Sequence, residues 1–403
     1  MSLTKTSLKG AFWLGLLRFC IKAFSLLKIT IVARILTPHD FGLFGMIIIP
    51  YGFLEVATEP GMNQALIQTK KDPKKYLTSA WLTFAIRGLV ISLILFFSAP
   101  VISHFYRSDL TQAIKLIAIA PFIKGLVNPA IILFRKHLQF EKEFWYKALA
   151  SIIESLSTII LAIKLKTMLA LPLGVVIGAL AALLLSFLMA KLHLVKASWQ
   201  RVKELYRYGR WVTLGTLTAY LNDQGDDLIV SKILGAQSLG LYQTAYKISN
   251  LPTTQGASLV YQIVFPIFSS IQNNLKRLQR GVVKSLTLTF FLSLAFGAAI
   301  YLIAPIFTRF VLGAKWLPMI PALNILIIFG VARPLISVGA ALFDAIGQPQ
   351  MATTANIIKL TVLLILIFPF TYQWGIIGTA WAVVISQLLV YPWFITKLIK
   401  VFK

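Results

Sequence analysis

Long apolar stretches separated by short polar breaks follow one another along the whole chain. About 20 consecutive apolar residues are enough for a helix to cross a bilayer. Twelve stretches of roughly this length can be delimited, so the pattern predicts an all-α integral membrane protein with about 12 transmembrane helices. They cover residues 11–35, 41–67, 77–103, 110–134, 145–166, 168–192, 208–234, 240–270, 282–309, 317–345, 352–373 and 376–396.

The composition agrees with this pattern. Of the 403 residues, 58% are hydrophobic and 13% are charged, and the mean hydropathy is +0.80. Soluble domains carry about a quarter of charged residues, so a soluble domain is excluded. Cys20 is the single cysteine, which rules out a disulfide within the chain and argues against redox chemistry as the function.

Basic residues are unevenly distributed among the breaks. Every second break and the helix ends beside it, together with the two ends of the chain, hold 23 Lys and Arg residues, whereas the other breaks and their flanking helix ends hold five. Cytoplasmic loops collect Lys and Arg, so both termini are predicted to be cytoplasmic. The net charge of +26 is then explained by topology and by attraction to anionic membrane lipid, and no nucleic-acid partner is expected.

The chain also repeats itself. Residues 31–44 (IVARILTPHDFGLF) align without gaps on residues 229–242 (IVSKILGAQSLGLY), and residues 130–134 (AIILF) resemble residues 339–343 (GAALF). Paired repeats are typical of transporters, although LG and FG turns could recur by chance in apolar sequence. The repeats predict two pseudo-symmetric six-helix bundles, at residues 1–193 and 208–403, joined by a basic cytoplasmic linker at 194–207.

Eleven basic residues lie inside or at the ends of the predicted helices. A Lys or Arg near a helix centre costs about 2.5 to 3.5 kcal/mol on insertion scales, so they cannot all face lipid. The eleven are Arg18, Lys22, Lys28, Arg34, Arg87, Lys115, Lys124, Lys232, Lys247, Arg333 and Lys359.

The most central of these cations predict a binding site. Arg18 and Lys22 are four residues apart and share one helix face, while Arg87, Lys124 and Arg333 lie deep in three other spans. Facing inward, they would surround a hydrated cationic cavity between the two bundles. A phosphate or diphosphate fits such a cavity best, because guanidinium and ammonium groups bind its oxygens through strong charge-assisted hydrogen bonds.

Acidic residues inside the spans have two interpretations. Glu55 and Glu59 share a face of the second span, Glu154 lies in the fifth, and Asp226 is one of three aspartates in the seventh. Each could neutralise a neighbouring cation and hold helices together. Alternatively, Glu59 and Asp226 could couple transport to a proton or another cation.

Prolines inside the spans, with Pro50, Pro121, Pro129 and Pro334 among them, predict either broken helices or, at any single position, simple kinks that improve packing. Signals of enzymatic chemistry are missing from the sequence. The four histidines have no metal-ligand spacing, and there is no P-loop and no G-x-S-x-G elbow. We therefore expect no metal, no cofactor and no catalytic residues.

Several short motifs resemble Wzx-type polysaccharide and oligosaccharide flippases, in particular the exopolysaccharide and teichuronic-acid exporter branch. The similarity extends over nearly the whole chain in the same order. The motifs are LTPHDFGLFG at 36–45, ALIQ at 65–68, FRKHLQF at 134–140, Asn222 and Asp226, LG at 234–235, LGLY at 239–242, LGAKW at 312–316 and AIGQP at 345–349.

This resemblance implies a member of the multidrug/oligosaccharidyl-lipid/polysaccharide (MOP) flippase superfamily with a MATE-like fold. Such a protein would move an undecaprenyl-diphosphate-linked oligosaccharide across the bacterial plasma membrane, next to the polymerase and glycosyltransferases of the same pathway. In that interpretation Arg18, Lys22, Arg87, Lys124 and Arg333 bind the diphosphate. The resemblance also suggests coupling to protons or membrane potential.

Three alternatives remain open from the sequence. A lipid II flippase of the same superfamily is the nearest. A drug or organic-cation antiporter shares the topology but needs an acidic or aromatic cavity, which the excess of cations disfavours. A polytopic polymerase or glycosyltransferase should carry a long extracytoplasmic loop, whereas the span estimate leaves outer loops of at most about ten residues.

Overall fold

The computed structural model describes residues 3–59, 61–68, 72–192, 195–348 and 350–402, with side chains excepted at 3–9, 11, 64, 68, 205–215 and 251–259. The basic positions Lys70 and Lys71 and the predicted domain boundary at 193–194 lie outside the described residues. The chain divides into two compact units, Met1–Asp223 and Gln224–Lys403. Among the described residues every regular element is helical, as the hydropathy pattern predicts.

The N-terminal unit begins with two apolar helices that meet at a tight break. Helix α1 ends at Ile35 and α2 begins at Pro38, with Thr37 and Asp40 forming a capping box between them. The elements, including the start of the long α10, are α1 Leu3–Ile35, α2 Pro38–Ala57, α3 Met62–Gln68, α4 Lys74–Tyr106, α5 Thr111–Ile117, α6 Ile119–Gly125, a 3₁₀ turn Pro129–Ile131, α7 Ile132–Lys136, α8 Phe140–Leu165, α9 Ala170–Met189 and α10 Trp199–Ile271.

The C-terminal unit begins at Gln224, inside α10, and continues to the end of the described chain. Its helices after α10 are α11 Leu275–Phe307, α12 Ile320–Ala345, α13 Gln350–Leu388 and α14 Val390–Phe402. A π-helical turn at Thr308–Leu312 and a 3₁₀ segment at Ala314–Met319 join α11 to α12. Leu278, Val282, Val338 and Leu342 form part of an apolar core between α11 and α12.

Seven segments of the described chain are long and apolar enough to cross a membrane, and a bent helix pair raises this number to eight. The protein is therefore a multi-pass membrane protein, whereas the count of twelve spans stays a prediction. The seven are Pro38–Ala57, Lys74–Tyr106, Phe140–Leu165, Ala170–Met189, Leu275–Leu312, Ala314–Ala345 and Gln350–Phe402.

Two of the predicted breaks between spans coincide with glycines inside long helices. Gly235 interrupts α10 with φ +79° and ψ −176°, and Gly375 interrupts α13 with φ +59° and ψ −142°. Both conformations lie in a region that residues with a Cβ rarely adopt. The breaks predicted between 234 and 240 and between 373 and 376 are thus confirmed.

Some of the prolines inside the predicted spans interrupt a helix and others do not. Helices α2 and α12 continue through Pro50 and Pro334, so the prediction of a broken helix is wrong there. A transmembrane helix can absorb a proline when neighbouring groups satisfy the freed carbonyl. At Pro129 the prediction is correct: the span predicted at 110–134 is broken, and its two parts, Thr111–Gly125 and Pro129–Lys136, meet at 64°.

Polar side chains satisfy the backbone at this break. The side chain of fully buried Asn128 donates to the Ala190 carbonyl at 2.6 Å and accepts from the Ala130 N–H at 3.0 Å. The Asn128 N–H donates to Ser186 Oγ at 3.0 Å, and the Trp81 indole donates to the Leu126 carbonyl at 2.9 Å. Irregular backbone is tolerated at membrane depth when it is buried in protein in this way.

Both sequence repeats contain a break or a turn at matching positions, and the second repeat also matches in backbone geometry. Thr37 at the α1–α2 break aligns with Gly235 at the break of α10. In the second repeat, the Gln139 N–H donates to the Phe134 carbonyl at 2.7 Å, and the Gln348 N–H donates to the Phe343 carbonyl at 2.7 Å. Each of these turns passes through a residue of positive φ, Leu138 at 57° and Gly347 at 77°. The same kind of turn closes α4, where the Ser108 N–H donates to the Ser103 carbonyl past Arg107 at φ 52°.

Candidate functional site

The broken helix pair borders a cavity of about 420 Å³ inside the N-terminal unit. The described ends or faces of α2, α3, α4, α6, α7 and α8 contribute to it. Its described lining includes four basic and three acidic side chains, an unusual density of charge in a chain this apolar. These are Arg87, Lys124, Arg135, Lys147, Glu55, Glu59 and Glu143.

Two glycines bring the cation-bearing helices together. A Cβ on Gly88 would lie 2.3 Å from the Pro121 carbonyl oxygen, and a Cβ on Gly125 would lie 2.4 Å from the Phe84 carbonyl oxygen. Helices α4 and α6 therefore pack backbone to backbone, as small residues permit in membranes. Arg87 and Lys124 each directly precede one of these glycines, so both can reach the same cavity.

Glu55 is the centre of a first cluster, the Glu55 cluster, which also contains Tyr51, Glu59, Arg87 and Lys124. Arg87 Nη2 lies 2.8 Å from Glu55 Oε2 and 3.7 Å from Glu59 Oε2. The same nitrogen donates to the Glu55 main-chain oxygen at 2.5 Å. The Arg87 guanidinium is thus compensated by both acids. Helix α2 ends at Ala57, so Glu59 lies beyond it and the shared helix face predicted for Glu55 and Glu59 is not formed.

Lys124 extends the Glu55 cluster into the cavity. Its ammonium donates to the Tyr51 hydroxyl at 2.6 Å and lies 4.0 Å from Glu55 Oε1. The Tyr51 hydroxyl in turn donates to Glu55 Oε1 at 3.2 Å. The Lys124 side chain remains 46% exposed, so its other N–H groups are accessible from the cavity.

Sequence reasoning missed a second cluster on the same cavity, the Glu143 cluster of Arg135, Glu143 and Lys147. Arg135 Nη2 and Lys147 Nζ each lie 2.5 Å from Glu143 Oε1, and Arg135 Nε donates to Glu143 Oε2 at 3.2 Å. Both cations count among the 23 basic residues of the predicted cytoplasmic side. The helical spacing of Glu143 and Lys147 was a detectable signal, but nothing local predicted that Arg135 would fold back onto them.

The other predicted cations lie elsewhere. Arg18 and Lys22 are exposed on α1 and are not part of the lining of this cavity. Arg333 belongs to α12 of the C-terminal unit, where its Cζ lies 5.7 Å from the centre of the Phe329 ring. Lys359 Nζ lies 4.9 Å from the centre of that ring. The structure therefore brings together Arg87, Lys124 and Glu59 of the predicted set.

Asp226 is buried in the C-terminal unit. Its Oδ2 accepts from the Tyr242 hydroxyl at 2.6 Å, and the neighbouring Asp227 accepts from the Gln243 amide at 2.8 Å. Ring contacts lead from Tyr242 through Tyr246 to Phe329. Asp226 thus belongs to a polar and aromatic cluster separate from the cavity. Within the described part of the chain, no three His, Cys, Asp or Glu side chains are grouped as metal ligands.

This fold is similar to that of two solved membrane proteins. The lipid II flippase MurJ in an inward closed conformation superposes with a TM-score of 0.76 at 18% identity, over 96% of this chain and 88% of MurJ. An inward-facing multidrug resistance MATE family transporter of the MOP superfamily superposes with a TM-score of 0.75 at 15% identity, over 94% of this chain and 95% of the transporter. At these identities the likeness shows a shared fold.

The chain belongs to the polysaccharide biosynthesis protein family, whose pattern matches residues 31–321. It is 24% identical to the lipopolysaccharide biosynthesis protein WzxC of Escherichia coli, over 89% of this chain and 74% of WzxC. It is 23% identical to the teichuronic acid biosynthesis protein TuaB of Bacillus subtilis, over 99% of this chain and 84% of TuaB. The resemblance drawn from the motifs is confirmed.

Proposed function

We propose that this protein is a flippase. It moves an undecaprenyl-diphosphate-linked oligosaccharide across the bacterial plasma membrane, for export of a surface polysaccharide. Membership of the polysaccharide biosynthesis family and the transporter fold support this class of activity. The observation that carries the proposal is the charged cavity in the N-terminal unit, whose described lining has one more basic than acidic side chain.

Lys124 and Arg87 bind the diphosphate in this proposal. Lys124 makes the first contact, because its half-exposed ammonium already points donors into the cavity. Arg87 exchanges part of its contact with Glu55 and Glu59 for a phosphate oxygen. Charge-assisted hydrogen bonds make that exchange favourable in a site of low dielectric constant. Arg18, Lys22 and Arg333 stay in the proposed binding set as contacts made at other steps of the cycle.

Glu59 and Asp226 are the proposed coupling residues. Glu59 lies 3.7 Å from Arg87, so a proton on Glu59 would weaken its hold on the guanidinium and favour binding of the headgroup. Asp226 would act in the same sense within its cluster with Tyr242. Glu59→Gln should support headgroup binding but abolish the dependence of transport on a proton gradient. Retention of the full gradient dependence would remove Glu59 from this role.

The proposed architecture has twelve spans in two six-helix halves, with both termini in the cytoplasm and alternating access as the transport mechanism. The matched turns at Phe134–Gln139 and Phe343–Gln348 support the pseudo-symmetric halves. Cysteine accessibility at Lys142 and Lys276, measured from each side of the membrane, tests the orientation. Labelling of both positions from the outside would contradict it.

Complementation tests the function. The gene is expressed in a strain lacking its own exopolysaccharide flippase, and in a second strain lacking its lipid II flippase. We expect rescue of exopolysaccharide export alone, and loss of that rescue in Arg87→Glu and Arg18→Glu variants that still reach the membrane. Lys142→Gln serves as the control, because Lys142 is exposed and is not among the residues lining the cavity. Rescue of peptidoglycan synthesis alone would identify a lipid II flippase instead.

A further inference from the structure

We infer that the Glu143 cluster is a second phosphate-binding site in the same cavity, one that selects a diphosphate over a single phosphate. Arg135 and Lys147 are the ligand-contacting residues, and Glu143 is a positioning residue that holds them. The inference rests on the proposed function, because it names the part of the substrate that this end of the cavity recognises.

In this cluster the acidic group is buried and the two basic groups are exposed, as an anion-binding site requires. The Glu143 carboxylate is 6% exposed, whereas the Arg135 and Lys147 side chains are 48% and 42% exposed. All three residues line the cavity, and the carboxylate is the buried member while the two cations are the exposed ones. An anion entering the cavity meets the cations without first displacing Glu143.

The hydrogen-bond donors left over point to a ligand with several oxygens. Glu143 engages Nε and Nη2 of Arg135 and one donor of Lys147, which leaves N–H groups on both side chains for a ligand. With Glu143 ionised, the cluster keeps a net positive charge. A guanidinium and an ammonium fixed on one carboxylate form two adjacent sites, which suits two linked phosphates better than one.

The local fold holds these groups in place. Arg135 lies in the last turn of α7 and Glu143 in the first turns of α8, on either side of the turn through Leu138. Lys136, next to Arg135, donates to the carbonyls of Leu66 and Ile67 at the end of α3 at 3.2 Å and 3.1 Å. These contacts tie the end of α7, and with it Arg135, to the end of α3.

Binding of pyrophosphate and of orthophosphate to the full-length protein in phosphatidylcholine nanodiscs, measured by calorimetry, tests the site. Arg135→Gln and Lys147→Gln should each weaken pyrophosphate binding about tenfold, the effect of losing one charged hydrogen bond. Lys142→Gln removes the same charge from the same helix and should change it less than about twofold. Equal losses in all three variants, or no loss in any, would overturn the site. Arg135→Lys, monodisperse and binding at reduced affinity, would show that the fold tolerates changes there.

The Glu143→Gln variant tests whether Glu143 positions Arg135 and Lys147 or only adds a negative charge to the site. Removal of a carboxylate by itself predicts tighter binding of both anions in parallel. Positioning predicts that the preference for pyrophosphate over orthophosphate falls several-fold towards equality, because the two cations are no longer held together. An unchanged preference would overturn the role given to Glu143.

Nanodiscs containing phosphatidylglycerol distinguish a diphosphate headgroup from an ordinary anionic lipid. We expect pyrophosphate binding to persist in them, and competition by phosphatidylglycerol would overturn diphosphate selectivity. Since pyrophosphate carries neither glycan nor lipid, loss of this site would leave the flippase proposal standing. Conversely, intact pyrophosphate binding with failed complementation would refute the flippase proposal and leave the site.

Discussion

Arg87 binds both the side chain and the main chain of Glu55: one nitrogen, Nη2, lies 2.8 Å from Oε2 and 2.5 Å from the carbonyl oxygen. The contact joins α4 to the C-terminal turn of α2. It fixes a guanidinium at the wall of the cavity and compensates its charge there.

This pair should be structural and functional at once. Glu55→Ala leaves Arg87 facing a partly buried site with less compensation, and we expect a loss of stability of up to about 3 kcal/mol. The double variant Glu55→Leu/Arg87→Leu should recover most of that stability but not export. Thermal unfolding and complementation measure the two properties separately. Export by the double variant would show that Arg87 has no role in binding.

A comparable pair outside the cavity is the control for this experiment. Lys28 Nζ lies 2.8 Å from Glu154 Oε1, and neither residue is part of the cavity lining. Lys28→Gln/Glu154→Gln should alter stability modestly and leave export unchanged. Loss of export in that variant would mean that export responds to any break in the packing of this unit.

Gly88 should not tolerate a side chain. A Cβ there would meet the Pro121 carbonyl at 2.3 Å, and backbone cannot yield as a flexible side chain does. Gly88→Ala should separate α4 from α6 and cost about 1 to 3 kcal/mol of stability. Gly15→Ala is the matched control, since nothing lies within 4 Å of its Cβ. The midpoint of thermal unfolding in detergent should fall for Gly88→Ala alone.

The break in α10 should depend on glycine for a different reason. Gly235 has φ +79° and ψ −176° but open space around its Cβ position. Gly235→Ala should therefore cost about 1 to 3 kcal/mol through backbone strain alone. Gly225→Ala on the same helix has equal space without the positive φ. Equal stability of the two variants would contradict this explanation.

The residues at the equivalent positions 138 and 347 of the second repeat can be exchanged by mutation. Leu138 adopts φ 57°, where its counterpart is Gly347 with φ 77°. The left-handed conformation costs a residue with a Cβ roughly 1 to 2 kcal/mol, and Leu138 is 51% exposed. Leu138→Gly should thus be neutral or stabilising by about 0.5 to 1 kcal/mol once the entropy of glycine is counted. Gly347→Leu should be destabilising, and the reverse order of thermal midpoints would refute the equivalence.

Asn128 should be needed to hold the broken helix pair. It is fully buried and bonds to Ser186, Ala190 and Ala130. Asn128→Ala leaves the Ala190 carbonyl and the Ala130 N–H without that partner, and we expect a cost of about 1 to 3 kcal/mol. Asn128→Asp keeps the acceptor for Ala130 and loses the donor to Ala190. Proteolysis near residues 126–131 should increase in both variants, and unchanged cleavage would contradict this role.

The candidate site was partly predictable. Burial cost singled out Arg87 and Lys124, together with Arg18, Lys22 and Arg333, as cations that lipid would reject, and the sequence placed Glu55 close to Glu59. The Glu143 cluster was missed: Glu143 and Lys147 have helical spacing, but nothing local in the sequence indicated that Arg135 would join them. The bend of 64° at Asn128 and the turn through Leu138 fold them back onto the cavity.

By itself the sequence determined that this protein is embedded in a membrane, that it is helical, and that breaks lie between 234 and 240 and between 373 and 376. These properties depend on hydropathy and on backbone conformation, which act over one helix or one residue. Only the tertiary structure decided which cations share a cavity and which acids compensate them. Arg87 meets Glu55 across 32 positions of the chain, and Lys124 meets Tyr51 across 73. Contacts at such separation depend on how closely glycines allow the helices to approach, and local sequence patterns do not specify them.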